Sequence, residues 1–193
     1  MTVVSEKQPD AVLAPEAVLA PEAVLAEVRE IAGRVRDPEL PMLTIADLGV
    51  LRGVGVRDDG GVEVTVTPTY SGCPAMDAIR ADVRRALAEH GFAGVTVRTV
   101  LAPAWTTDWI SEAGRRALAE HGIAPPGPAR PLPSAPAPSG PVLVRLGRRP
   151  EPVGCPQCGS ADTREVSRFG STACQALWVC DSCGEPFGHV KAI

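Results

Sequence analysis

The sequence predicts an α+β protein: a small domain of three strands and three helices, followed by a separate C-terminal ribbon built round four cysteines. Three observations predict it. Through residues 23–123 the apolar pattern switches between helical and alternating periods in the order helix, strand, strand, helix, strand, helix. Residues 124–141 then hold eight prolines. Lastly, Cys155-Pro156-Gln157-Cys158-Gly159 and Cys180-Asp181-Ser182-Cys183-Gly184 repeat one metal-binding knuckle. In each knuckle the glycine after the second cysteine has no Cβ and can turn tightly around the sulfur.

Taken in order, residues 1–22 form a tail whose Ala-Val-Leu-Ala-Pro-Glu period of six runs over residues 11–26, with Pro15 and Pro21 interrupting any helix. Three copies of six are too short for a solenoid, so a disordered tail is expected. The first core helix starts near Ala23, places Val24, Leu25, Val28, Ile31 and Val35 on one face and stops before Asp37-Pro38. Residues 49–57 and 61–67 read as a hairpin turning at Asp58-Asp59-Gly60, because Val62, Val64 and Val66 alternate with polar neighbours. A helix over 74–90 with Met76, Ile79, Val83 and Leu87 inward leads to a strand over 95–100, and a last helix covers 108–121. Arg-Arg-Ala-Leu-Ala-Glu-His-Gly occurs at 84–91 and again at 115–122. Each His-Gly suits a helix C-terminus better than a shared metal. The proline-rich linker 124–141 would hold the ribbon, 142–193, up to roughly 50 Å away as polyproline II, leaving two independently moving modules.

Four thiolates at the ribbon spacing want a metal. Zinc fits, with iron in a rubredoxin-like site as the lesser alternative, since sulfur ligation alone does not separate the two. Disulfides would require an oxidising compartment. The polar first ten residues show no signal peptide, and no stretch reaches the ~18 apolar residues of a membrane span, so a cytoplasmic protein without membrane contact is expected. The chain carries a net charge of −4. From Val142 onward six basic residues face five acidic ones, which gives no nucleic-acid footprint.

Cys73 lies outside the ribbon, in Thr67-Pro68-Thr69-Tyr70-Ser71-Gly72-Cys73-Pro74, where a strand end turns into a helix. At or next to the N-cap, its thiol pKa is expected to fall under the helix dipole, which suits a metal ligand or a nucleophile; a buried inert cysteine is the alternative. Cys174, six residues before Cys180, is a possible extra ligand of the ribbon metal. His189, six residues past Cys183, is expected at the surface.

Asp37-Pro38-Glu39-Leu40-Pro41, Ile45-Ala46-Asp47-Leu48-Gly49-Val50, Thr67-Pro68-Thr69 through Cys73-Pro74, and Pro103-Ala104-Trp105-Thr106-Thr107-Asp108-Trp109 together resemble the MIP18 (DUF59) family, associated with iron-sulfur protein assembly. The ribbon, with Phe169-Gly170-Ser171-Thr172-Ala173-Cys174 and Glu185-Pro186-Phe187, resembles the D components of bacterial phenylacetyl-CoA epoxidases. The resemblance implies a non-catalytic accessory factor of aerobic phenylacetate degradation that assembles an iron-sulfur or iron centre. It makes Cys73 the candidate ligand of a transient iron-sulfur cluster or iron, places Asp47 in the family's acidic turn and Thr69 on the loop into the cysteine, and puts Trp105 and Asp108 in a second motif. Packing and capping are the simpler roles for Trp105, Asp108 and Trp109. Where the epoxidase family commonly has a further cysteine near its end, this chain has Ala192. The implied partners are the diiron oxygenase subunits, the iron-sulfur flavin reductase and the iron-sulfur assembly machinery. One thiol supplies too few ligands for a cluster, so a homodimer or a partner's ligand would complete it. A non-catalytic structural subunit of the oxygenase, and an enzyme using Cys73 as nucleophile, are the competing readings; the latter needs a base that the three histidines do not obviously supply.

Overall fold

The computed structural model describes residues 22–127 and 153–192. The repeat tail and most of the proline-rich linker lie outside the described residues.

Helix α1 spans Glu22–Gly33 and buries Val28, Ile31 and Ala32. Strands β1 (Leu51–Val56) and β2 (Val62–Val66) form the expected antiparallel hairpin, with Gly60 at φ 81° in its turn. The alternation is visible in β2, where Val64 and Val66 are buried, whereas β1 is half-buried throughout. Helix α2 (Ala75–Glu89) buries Met76, Ile79, Val83 and Leu87, the face read from the sequence. It crosses back to β3 (Thr96–Thr99), which pairs parallel to β2 with Glu63 opposite Thr96 and Val66 opposite Thr99. The first sheet therefore has the order β1-β2-β3, with α1 and α2 packed against each other beside it.

The segment expected as one last helix divides in two. A 3-10 turn at Thr107–Trp109 is followed by α3 (Glu112–Glu120), because Ile110 takes an extended conformation and Ser111 caps α3 by accepting the Gly114 N–H. Both His-Gly pairs end helices as expected. His90 and His121 are the C-caps of α2 and α3, their Nδ1 atoms lie 2.8 Å from the carbonyls of Ala86 and Ala117, and Gly91 and Gly122 take positive φ.

The ribbon holds β5 (Thr163–Ser167), β6 (Gln175–Cys180) and β7 (Pro186–Val190) in antiparallel succession. It is not spatially independent of the first domain, contrary to the expectation of freely moving modules. Ile123–Ala124 form a short β4 that pairs parallel with Gly188 and His189 of β7, giving one sheet of order β4-β7-β6-β5. Val190, 2% exposed, joins the main core formed by α1, β2 and α2. The linker composition argued for separation, but the residues flanking it bury apolar surface and complete backbone hydrogen bonds by docking.

His189 corrects a second expectation. It is half-buried on β7, its ring edge-on to Trp178 with centroids 5.7 Å apart, and burial lowers its pKa to about 4. The unfolded chain takes up this proton near pH 6.5 and the folded chain does not, so stability should be level above that pH and fall as pH drops from 6.5 towards 4. Thermal melts of metal-saturated protein across this range should show a smaller decline for His189→Gln than for wild type; equal slopes would remove His189 as the cause.

A four-thiol centre and a shared cavity

Two sites emerge. In the ribbon the thiols of Cys155, Cys158, Cys180 and Cys183 all lie within 4.8 Å of one another. Cys155 and Cys158 sit on the first knuckle, and Cys180, the last residue of β6, and Cys183 on the second. Gly159 and Gly184, at φ 74° and 78°, return their N–H groups to the Cys155 and Cys180 carbonyls at 2.8 Å. The Cys155–Cys183 and Cys158–Cys180 sulfur separations are 3.8 and 3.6 Å. Four sulfurs at ~2.3 Å from a tetrahedral ion would be about 3.8 Å apart, so the donor set fits a metal. The backbone N–H groups of Cys183 and Ser182, with hydrogen bonds from the Cys183 and Cys158 thiols, lower the Cys180 thiol pKa to about 7, while the pKa values of Cys183 and Cys158 are raised in turn, so the thiols share their protons as one set. The knuckles can therefore hold a metal with no further protein ligand.

Cys174 is not part of that thiol group. The loop before β6 turns it away from the knuckles, its sulfur 3.0 Å from the Thr172 hydroxyl. It is 6% exposed and lines a cavity together with Asp37, Glu39, Thr69, Cys73 and Trp105. The ribbon thus brings its fifth cysteine to the cavity that Cys73 of the first domain also lines. Sequence reasoning named both cysteines but treated them separately, because nothing in their spacing of a hundred residues signals proximity.

Cys73 stands just before Pro74, the N-cap of α2, as the Cys-Pro pair suggested. Its expected low pKa is not found: burial raises the thiol's pKa, against a hydrogen bond from the Ala75 N–H, and the charges of Glu39, Asp37 and Cys174 raise it further. Burial and these neighbours thus outweigh the helix end that the sequence could show. Asp37 is 5% exposed. Its Oδ1 accepts the Glu39 and Leu40 N–H groups, each at 2.8 Å, yet burial still raises its pKa. The same two carboxylates act on Cys174, whose pKa is raised chiefly by burial.

The remaining motif residues hold the cavity wall. Asp47 accepts the Thr44 hydroxyl at 2.6 Å and the Ser111 hydroxyl at 2.9 Å. Burial opposes the charge, but hydrogen bonds from Thr44 and Ser111 leave the Asp47 pKa lowered. The Ser111 N–H also donates to the Asp47 carbonyl at 2.8 Å. Trp105, 4% exposed, donates its indole N–H to the Leu48 carbonyl at 2.9 Å. Asp108 is exposed on the 3-10 turn, where its N–H faces the Thr106 hydroxyl at 3.4 Å. Trp109 carries the Arg52 guanidinium 3.4 Å above its ring centroid. Asp47, Leu48 and Trp105 thereby tie the acidic turn to the tryptophan motif, and only Trp105 of these motif tryptophans reaches the cavity. Thr69 is buried on the loop into Cys73 and lines it too. No histidine lines this cavity.

An α+β domain fused to a four-cysteine ribbon is the class that fold and site define. Residues 25–101 match the family described as iron-sulfur cluster assembly protein, and residues 139–191 match the PaaD zinc beta ribbon domain. A protein of Escherichia coli (strain K12), provisionally named as the D component of 1,2-phenylacetyl-CoA epoxidase, is 43% identical over 86% of this chain and 92% of its own length. The chain belongs to this family of epoxidase D components. An Fe-S protein maturation auxiliary factor of Porphyromonas gingivalis is 42% identical over 40% of this chain and 74% of its own. A DUF59 domain structure from Bacillus anthracis aligns with a TM-score of 0.46 at 28% identity, covering 50% of this chain and 92% of that one. Among the described residues no helix is long and apolar enough to cross a membrane.

Proposed function

We propose that this protein is an accessory factor of the phenylacetyl-CoA epoxidase system that assembles an iron or iron-sulfur centre of that oxygenase, handling the metal as cargo at Cys73. The carrying observation is the placement of Cys73 in a cavity with buried Asp37 and half-buried Glu39 on a domain of the iron-sulfur assembly family. Thiol and carboxylate donors together suit a divalent iron, and half-burial of the thiol limits access without closing it. Asp47, Trp105 and Asp108 support the motif turns, and Thr69 shapes the entry loop. Zinc in the ribbon is structural, held by Cys155, Cys158, Cys180 and Cys183. The clients on this reading are the diiron oxygenase subunits or the iron-sulfur flavin reductase.

The exposed apolar side chains of the ribbon, Phe169 at 79% and Val166 at 52%, favour a second reading, a stoichiometric structural subunit held in the oxygenase through the ribbon. Metal and acid-labile sulfide content of anaerobically purified protein, with client metallation in cells, separates them. Zinc in both wild type and Cys73→Ser, iron only in wild type, and an under-metallated client with Cys73→Ser are expected. A fully metallated client beside the Cys73→Ser protein would sink the cargo role.

A further inference from the structure

We propose that the ribbon is a lid over Cys73: it covers one side of the cavity that the first domain builds around this thiol, and lifts away as a folded unit to give access to it. What the open thiol receives is taken from the cargo reading of Cys73, on which this inference rests; the motion itself is read from the junction of the two domains.

The cavity has walls from two sources. Thr69, Cys73 and Trp105 belong to the first domain, whereas Cys174 and Val190 come from the ribbon and are buried there. The two ribbon residues move as one, because the Lys191 N–H donates to the Cys174 carbonyl at 2.9 Å and Gln175 pairs with Val190. Between these walls the free volume is about 10 Å³, room for about one water. A hydrated metal ion or an iron-sulfur cluster is several times larger, so the cavity as it stands admits neither. The ribbon's hold on the first domain is slight beside what holds each of them together. Among the described residues, strand pairing across the junction is confined to Ile123 with Gly188 and Ala124 with His189. Val190 is the one ribbon side chain in the first core, and Ala124 of β4 packs in turn with Trp178 and Phe187 in the ribbon core. Within the ribbon, β5, β6 and β7 pair in succession and the four knuckle thiols converge, all without help from the first domain. Lifting the ribbon therefore breaks two residue pairs and uncovers Val190 and Ala124, while both domains keep their own sheets and cores. Such a sub-global opening lies well below complete unfolding.

The test is the rate at which iodoacetamide alkylates Cys73 and Cys174 in full-length, zinc-saturated protein, resolved by mass spectrometry over a series of sub-denaturing urea concentrations. In the wild type both thiols should react at least about tenfold more slowly than in the unfolded chain, and both rates should rise with one shared urea dependence, weaker than that of global unfolding. Ala124→Asp puts a carboxylate into the junction but not into the cavity wall, and should speed both thiols at least about tenfold with zinc retained. Where this variant loses zinc, the wild-type series decides alone. Thiols that react as fast as in the unfolded chain, that follow separate urea dependences, or that react only through global unfolding overturn the lid, as do unchanged rates in zinc-bound Ala124→Asp. Anaerobic Fe(II) uptake, compared with Cys73→Ser, separates this from the cargo reading. Uptake that requires Cys73 beside unlinked thiol rates leaves the cargo role standing without the lid. Linked thiol opening with no Fe(II) taken up through Cys73 supports the lid and removes the cargo.

Discussion

Stripping the ribbon metal should melt β5, β6, β7 and β4 together while the β1-β2-β3 sheet and α1 and α2 stay folded. Structural metal in small finger modules contributes about 10–16 kcal/mol, far more than a ribbon this size draws from its own core. That core consists of Ala124, Ala176, Trp178 and Phe187 beside the buried thiols Cys155 and Cys180. Losing the metal leaves four thiols without a shared partner and removes the restraint on both knuckles. The first domain has a larger core of its own, with Val28, Leu43, Ile45, Val64, Val83 and Leu87 all at 0% exposure. It should nonetheless be weakened, because Val190 leaves that core; burying such a side chain contributes about 1.5–3 kcal/mol. Amide exchange on chelated protein would show the pattern directly: protection lost in β4–β7 and kept in β2 and α2. Loss of protection everywhere would mean that the docking of β7 makes the two domains one cooperative unit.

That docking also marks the boundary of what could be read from the chain. Core helices α1 and α2, the 58–60 hairpin turn, the histidine caps and the clustering of the four ribbon cysteines were legible because each rests on a local signal: a period, a turn dipeptide, a cap residue or a knuckle spacing. The parallel pairing of β2 with β3 and the seating of β7 on β4 were not, because neither has a local signature; Ile123–Ala124 look like the start of a proline-rich spacer. The same blindness split the cavity. Asp37 and Glu39 follow α1, Cys73 precedes α2 and Cys174 precedes β6, so the environment that raises the Cys73 pKa is assembled only by tertiary contact. His189 was misplaced for a like reason, since a place six residues past a cysteine says nothing of the Trp178 ring it meets. Asp47 and Trp105 were picked out through resemblance, and their hydrogen bonds give the physical reason they are needed: each fixes the 47–49 turn from the other side.

The closest point of that turn is Gly49, and Gly49→Ala should be among the most destabilising single substitutions in the first domain. Gly49 has φ +72°, a region that costs a residue with a Cβ roughly 1–2 kcal/mol. A Cβ there would also fall 2.6 Å from the Trp109 Cβ and 2.7 Å from the Trp109 carbonyl oxygen. These are backbone and near-backbone atoms and cannot swing aside as a long side chain could, so the 3-10 turn must shift, at a further cost of about 1–3 kcal/mol. Denaturant unfolding of metal-saturated Gly49→Ala should therefore lose about 2–5 kcal/mol, as a lower midpoint with the slope unchanged. Gly53→Ala in β1 is the matched control. No atom lies within 4 Å of its added Cβ and its φ is not in the positive region, so it should stay close to wild type. A Gly49→Ala protein as stable as Gly53→Ala would mean that the tryptophan motif is free to retreat from the acidic turn. The Leu48–Trp105 hydrogen bond would then not be the fixed wall against which the Cys73 cavity is built.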